Sequence, residues 1–195
     1  QTRVERPVLM GVHEVTWRQY LTYARANGLE PPTTPPEDER LPVTEVLIEE
    51  AIAFCEWAGA RLPTFAEWNR AARGATTHAF PWGDRPEPPV AAGGSWHGGV
   101  PLANYLHGDD HVGPAPVGSF PRGSSPFGCL DMAGNVFEFV QSARGEGGVM
   151  LQLNTGSAFD CSAHLDVILD RMAADRPGHR MGNTGFRLAV DPLQR

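Results

Sequence analysis

The chain has 195 residues, 41% hydrophobic and 20% charged, with a formal net charge of −7. That length suits one domain with a single core, and the apolar fraction excludes a disordered chain. The acidic balance argues against a nucleic-acid partner, whose phosphates require a basic surface, and no apolar run approaches the ~20 residues needed to span a membrane.

Gly 22 and Pro 18 predict short regular elements separated by many loops. Cys55, Cys129 and Cys161 are read as three reduced thiols acting as small apolar fillers, in keeping with a reducing, cytoplasmic compartment. No signal peptide is read at the start, where Gln1 stands instead of an initiator methionine, as expected of a processed protein or an excised segment.

The first helix is predicted from Thr16 to Asn27. Thr16 and Gln19 form a capping box, Tyr20, Tyr23 and Ala24 share one face, and Gly28 follows the last turn. Residues 30–40 hold four prolines and four acidic residues and read as an exposed loop. A second helix covers 48–58, with Ile48, Ala51, Ile52 and Cys55 on its inner face and Gly59 as its stop. Pro63 keeps it from running on, and Thr64 with Glu67 opens a third helix over 64–73, with Trp68, Ala71 and Ala72 packed inward.

Beyond Gly74 the helical period ends. Phe80 to Asp84 is a turn bearing two aromatics, and residues 85–99 carry no periodic run. Short strands are expected over 115–120, 137–141, 149–153 and 185–190. The whole, residues 1–195, reads as one α+β domain with helices early and an irregular antiparallel sheet late.

Several blocks carry a resemblance. They are Glu14-Val15-Thr16, Arg61-Leu62-Pro63-Thr64 to Gly74, Phe80-Pro81-Trp82-Gly83-Asp84, Ala103-Asn104, Pro116 to Phe120, Phe127-Gly128, Asp131 to Glu138, Gly156-Ser157 and Gly185-Phe186-Arg187. In this order they resemble the formylglycine-generating enzyme, or sulfatase-modifying factor, family, which implies a C-type-lectin-like fold. The family usually has a further strand ahead of the segment that begins here, so a truncated start is expected. Resemblance to a fold does not fix activity.

Catalytic members oxidise a cysteine of a target protein to formylglycine with copper and oxygen. The resemblance places their two copper-binding cysteines at Asp160 and Leu165 of this sequence. A soft Cu(I) ion needs thiolates, and a slip that brought Cys161 into place would pair it with Asp166. No copper is expected, and no catalytic residue is assigned. Related sulfoxide synthases use iron and histidines supplied largely by an extra helical domain, for which this chain lacks room. His97, His107, His111, His164 and His179 are scattered, without metal-ligand spacing. Gly-x-Ser-x-Gly does not occur.

Calcium is expected instead, in a structural role. The resemblance implies a first site of Asp131, the carbonyls of Gly134 and Val136, and Glu138. It implies a second of Asn104, the carbonyl of Tyr105, Asp109 and the carbonyl of His111. Both sets supply the hard oxygen donors calcium takes. The competing reading is that Asp131 and Glu138 cap turns and Asn135 holds a left-handed residue.

A rigid scaffold with a long, irregular segment at 158–184 remains, and loops on a stable frame are natural binding surfaces. The expected function is a non-catalytic module binding a protein or polar ligand through Phe159, Asp160, His164, Arg171, Arg176, His179 and Arg180. In the variable proteins of diversity-generating retroelements, which resemble this family's fold, the matching stretch carries the varied binding residues. The alternative is a diverged oxidoreductase of the formylglycine-generating-enzyme and sulfoxide-synthase superfamily.

Overall fold

A computed structural model describes residues 6–76, 78–84, 103–104, 111–144, 150–161, 172–175 and 178–192. Strand β1 (Leu9–Met10) leads into helices α1 (Trp17–Asn27), α2 (Ile48–Trp57) and α3 (Phe65–Arg73). Strands β2 (Phe137–Arg144), β3 (Met150–Thr155), β4 (Met172–Asp175), β5 (Thr184–Phe186) and β6 (Ala189–Val190) follow. No described helix is long and apolar enough to cross a membrane.

The helices begin and stop where their end chemistry requires. The Thr16 hydroxyl accepts from the Gln19 amide at 3.3 Å while the Gln19 side chain accepts from the Thr16 amide at 2.8 Å. Thr64 and Glu67 repeat this exchange at 3.2 and 2.8 Å. Each box satisfies two amides that have no partner within the helix. The N-cap of α2 is Leu47, which has no side-chain acceptor, so Glu50 alone reaches back to the Leu47 amide at 2.8 Å. Gly28 and Gly59 take φ of 64° and 68° just past their helices, the left-handed turn glycine adopts without penalty.

α1 and α2 bury an aromatic cluster. Tyr20 stacks on Phe54 with ring centres 5.8 Å apart, and Phe54 meets Phe186 of β5 edge-on at 5.5 Å. α3 buries Trp68, Ala71 and Ala72 against Met132, Val140 and Leu153. Ile52, expected on the inner face of α2, is 38% exposed. Phe54 takes the inward position instead, because its ring fills the space between α1 and β5.

The main sheet has the order β4-β3-β2-β5, and β1 pairs with β6 in a second, two-stranded sheet. β2–β3 and β3–β4 are antiparallel as expected, but β2–β5 is parallel, with Phe137 opposite Thr184 and Phe139 opposite Phe186. A parallel neighbour needs a long crossover, and the chain between β2 and β5, which includes β3 and β4, supplies the length for one. The expected strand at 115–120 is absent. Gly118 turns at φ 77° and Ser119 bonds back to Pro116 through both amide and hydroxyl, closing a turn there. The strand read over 185–190 is two strands, β5 and β6, in different sheets. β4 falls in a stretch read as irregular, because Met-Ala-Ala-Asp has no alternation to betray it.

Candidate functional site

The turn ahead of β2 gathers the polar core. Asp131 and Asn135 hold φ of 56° and 62°, a left-handed conformation that Asp and Asn tolerate better than most residues. Asn135 ties distant segments together. Its side-chain oxygen accepts from the Ala115 amide at 2.9 Å and faces the Asn104 amide group at 3.4 Å. Its side-chain nitrogen donates to Glu14 Oε1 at 3.0 Å. Its backbone accepts from Phe159 at 2.9 Å and donates to the Asn104 carbonyl at 3.1 Å. The Gly134 amide donates to Ser157 Oγ at 2.7 Å, fixing the turn to the end of β3. One residue thus anchors the start of the 158–184 segment.

Glu138 points into the same interior. Arg187 donates to it from Nε and Nη2, both at 2.6 Å, and Trp68 Nε1 donates to its Oε2 at 2.8 Å. Arg187 also donates to the carbonyls of Gly11, Val12 and Leu130. Both charged side chains are fully buried. Burial alone would pull the Arg187 pKa down, but the charge and hydrogen bonds of Glu138 hold it above its ordinary value.

Two further carboxylates lack such a partner. Asp131 Oδ2 accepts from the Gly118 amide at 2.6 Å, as the turn-capping reading expected, but its Oδ1 is buried with no hydrogen bond. Glu14 Oε2 and Asn104 Oδ1 are buried and unpartnered as well. Burial, and then the charge of Asp131, push the Glu14 carboxyl well above its usual range, with Arg187 opposing. Burial also raises Asp131, against the Gly118 amide and Arg187.

The expected first calcium set therefore divides. Asp131 suits a hard cation, since a buried oxygen is left over. Glu138 is held instead by Arg187 and Trp68, so the four expected donors do not fit calcium as a set. Gly134 and Val136 are buried in the turn between Asp131 and Glu138. Of the second set, Asn104 is buried with one free oxygen, and His111 is exposed with its ring 6.2 Å from Phe120. Tyr105 and Asp109 lie outside the described residues.

The expected recognition surface is seen in part. Asp160 is exposed and accepts from Asn183 Nδ2 at 3.0 and 3.3 Å. Phe159 is half-buried, and His179 is exposed. Arg180 is engaged by Glu50 through two bonds of 2.6 and 2.7 Å and donates to the Glu45 carbonyl. This fastens β5's approach to the start of α2. His164, Arg171 and Arg176 lie outside the described residues, as does Leu165. Cys55 and Cys129 are buried as fillers, and burial pushes the Cys55 thiol up to about 12. Cys161, read as a third filler, is half-exposed beside Asp160.

Sequence reasoning missed Glu14 and Asn135 as polar partners, and Arg187 as the counterion of Glu138. The partners of the first two lie far along the chain, so no local pattern marks them. Arg187 stands between Phe186 and Leu188, an apolar setting in which an arginine must find an anion.

Residues 1–192 match the sulfatase-modifying factor enzyme 1-like domain, and the chain belongs to that family. It is 46% identical over 100 residues to the formylglycine-generating enzyme of Mycobacterium tuberculosis, covering 51% of this chain and 32% of that protein. It is 33% identical over 158 residues to the inactive C-alpha-formylglycine-generating enzyme 2 of Mus musculus, covering 78% of this chain and 50% of that one. The chain therefore spans half or less of the length of these relatives. Among solved structures it shares the fold of PvdO from Pseudomonas aeruginosa, with TM-score 0.75 and 22% identity over 95% of this chain and 80% of that one. The Treponema denticola variable protein 1 has it too, with TM-score 0.68 and 20% identity over 95% of this chain and 84% of that one.

Proposed function

We propose that this chain is a non-catalytic recognition module that binds a protein or polar ligand through residues 158–184. The observation that carries the reading is Asp160. It stands where the family resemblance puts the first copper thiolate, and its carboxylate is occupied by the Asn183 amide. A carboxylate is a hard donor and does not replace a thiolate toward Cu(I). Leu165 stands at the second position in the sequence.

The scaffold beneath suits recognition. Asn135 and Ser157 hold the start of the segment, and Arg180 with Glu50 holds its end. Kinship to a relative named inactive, and a fold in common with a variable protein, support the same reading. Diversification of 158–184 by a retroelement would show as sibling sequences differing only there. The test is a display screen of peptides and glycans against the chain, repeated with Phe159→Ala, Asp160→Ala and His179→Ala combined. Loss of the selected ligand, with the melting curve kept, supports the surface. A ligand that survives these changes and is lost on altering residues 30–40 overturns it.

A second reading, a diverged oxidoreductase, draws on 43% identity over 112 residues to the hercynine oxygenase of Mycolicibacterium thermoresistibile, which covers 22% of that protein. Turnover of a small molecule by the purified chain would favour it.

A further inference from the structure

We propose that Gln152, with the β-bulge of β2 that faces it, forms an interior subsite for a carboxamide group of a peptide ligand. The subsite deepens the recognition reading above and rests on it, since it gives the module the chemical group it reads.

Gln152 lies on β3 and is 1% exposed. Neither Nε2 nor Oε1 of its side chain has a hydrogen-bond partner. Both unmet atoms belong to one amide, so a donor and an acceptor stand side by side at one place. Buried polar atoms in folded proteins nearly always have partners. An apolar side chain of equal size would fill the same space without leaving two such groups unpaired. An amide kept there calls for a group that supplies the missing acceptor and donor.

The backbone is irregular at the same point. β2 pairs Val140 with Leu153 and Ala143 with Leu151, so two residues, Gln141 and Ser142, stand opposite Gln152. A bulge of this kind interrupts the ladder and re-aims side chains, and bulges gather beside functional sites. This one is fixed from outside the sheet. The Gln141 amide donates to the Pro63 carbonyl at 2.9 Å, and its side-chain nitrogen donates to the Leu62 carbonyl at 3.1 Å.

Position ties the subsite to the recognition segment. Gln152 is opposite Asp175 of β4, and β4 falls within 158–184. β4 is the outer strand in the order β4-β3-β2-β5, so one strand separates Gln152 from the sheet edge. Leu153, the next residue, belongs to the cluster around Trp68 and Val140. Strand alternation turns Gln152 to the opposite face, away from that cluster.

A donor beside an acceptor selects its partner. A carboxamide or peptide group answers both atoms with two parallel hydrogen bonds. A carboxylate answers only the nitrogen, sets its charge against the Gln152 oxygen and must itself be buried charged. A ketone answers the nitrogen alone.

The test follows the Gln152 side-chain amide in nitrogen-15 NMR spectra of the chain, with acetamide, acetate and acetone as probes. Acetamide should shift that signal saturably, at a half-saturating concentration roughly tenfold or more below those of the other two. Gln152→Met should keep the wild-type melting temperature and lose the acetamide response. No saturable shift, as a site holding water alone would give, overturns the proposal, and so does an equal response to all three probes. Should Gln152→Met not fold, the wild-type titration decides. A peptide from the display screen that binds Gln152→Met undiminished overturns the subsite and leaves the 158–184 surface standing. A saturable acetamide response beside a screen without ligands upholds the subsite and counts against that surface.

Discussion

Arg187 and Glu138 meet through two 2.6 Å hydrogen bonds in an interior from which both are fully excluded from water. The pair joins β2 to the residue that follows β5, and Arg187 further reaches the Gly11 and Val12 carbonyls just after β1. Removing one member leaves the other charge buried and uncompensated, at a cost of ~3–5 kcal/mol. Arg187→Met should therefore lose stability of that order in urea unfolding. The double variant with Glu138→Gln should lose clearly less than the two single losses added. Simple additivity would show that the two residues do not act as a pair.

Asn135 has two separable duties, a left-handed backbone and a hydrogen-bonding side chain. Asn135→Gly keeps the first and removes the second, and should cost roughly 2 kcal/mol or more. Asn135→Ala should cost about 1 kcal/mol further, the penalty of a β-carbon at positive φ. Chemical denaturation of both variants gives the order, and equal losses would assign the whole effect to the side chain.

Gly185 sits where β5 enters beside β2. A β-carbon there would lie 2.7 Å from the Val43 carbonyl oxygen and 3.3 Å from Val136 Cγ2. The first neighbour is backbone and cannot rotate away, so the strand itself must shift. Gly185→Ala should destabilise by ~1–3 kcal/mol in the same assay. Wild-type stability for this variant would mean that β5 is free to move.

Glu67 closes the capping box of α3 and pairs with Arg61 at 2.7 and 2.8 Å. Burial raises its carboxyl, but the Arg61 and Thr64 hydrogen bonds prevail and hold it below its ordinary value of 4.5. A carboxylate depressed in the folded state adds stability above the unfolded value and loses it as pH falls through the folded one. The melting-temperature gap between wild type and Glu67→Gln should therefore be full near neutral pH. It should shrink progressively below pH 4.5. A gap independent of pH would assign the effect to packing.

The helices were legible because their signals are local. Thr16 with Gln19 and Thr64 with Glu67 stand within one turn of each other, and Gly28 and Gly59 mark the stops directly. The parallel pairing of β5 with β2 was not legible, since it depends on how a long crossover returns. The polar core was half legible. Asp131 and Glu138 stood out as acidic residues around a glycine turn. Their actual partners, Gly118 for one and Arg187 with Trp68 for the other, lie far along the chain. Glu14 and Asn104 meet through Asn135 across 121 and 31 residues, separations that no periodicity encodes.

Asp160 and Leu165 occupy the two positions where the family resemblance places copper thiolates, and neither side chain is a soft donor toward Cu(I). The deciding measurement is mass spectrometry of a sulfatase-type cysteine peptide incubated with the chain, copper and oxygen. No aldehyde above a control lacking the protein is expected. Aldehyde product that disappears on Cys161→Ser would overturn the non-catalytic reading and make Cys161 a copper ligand.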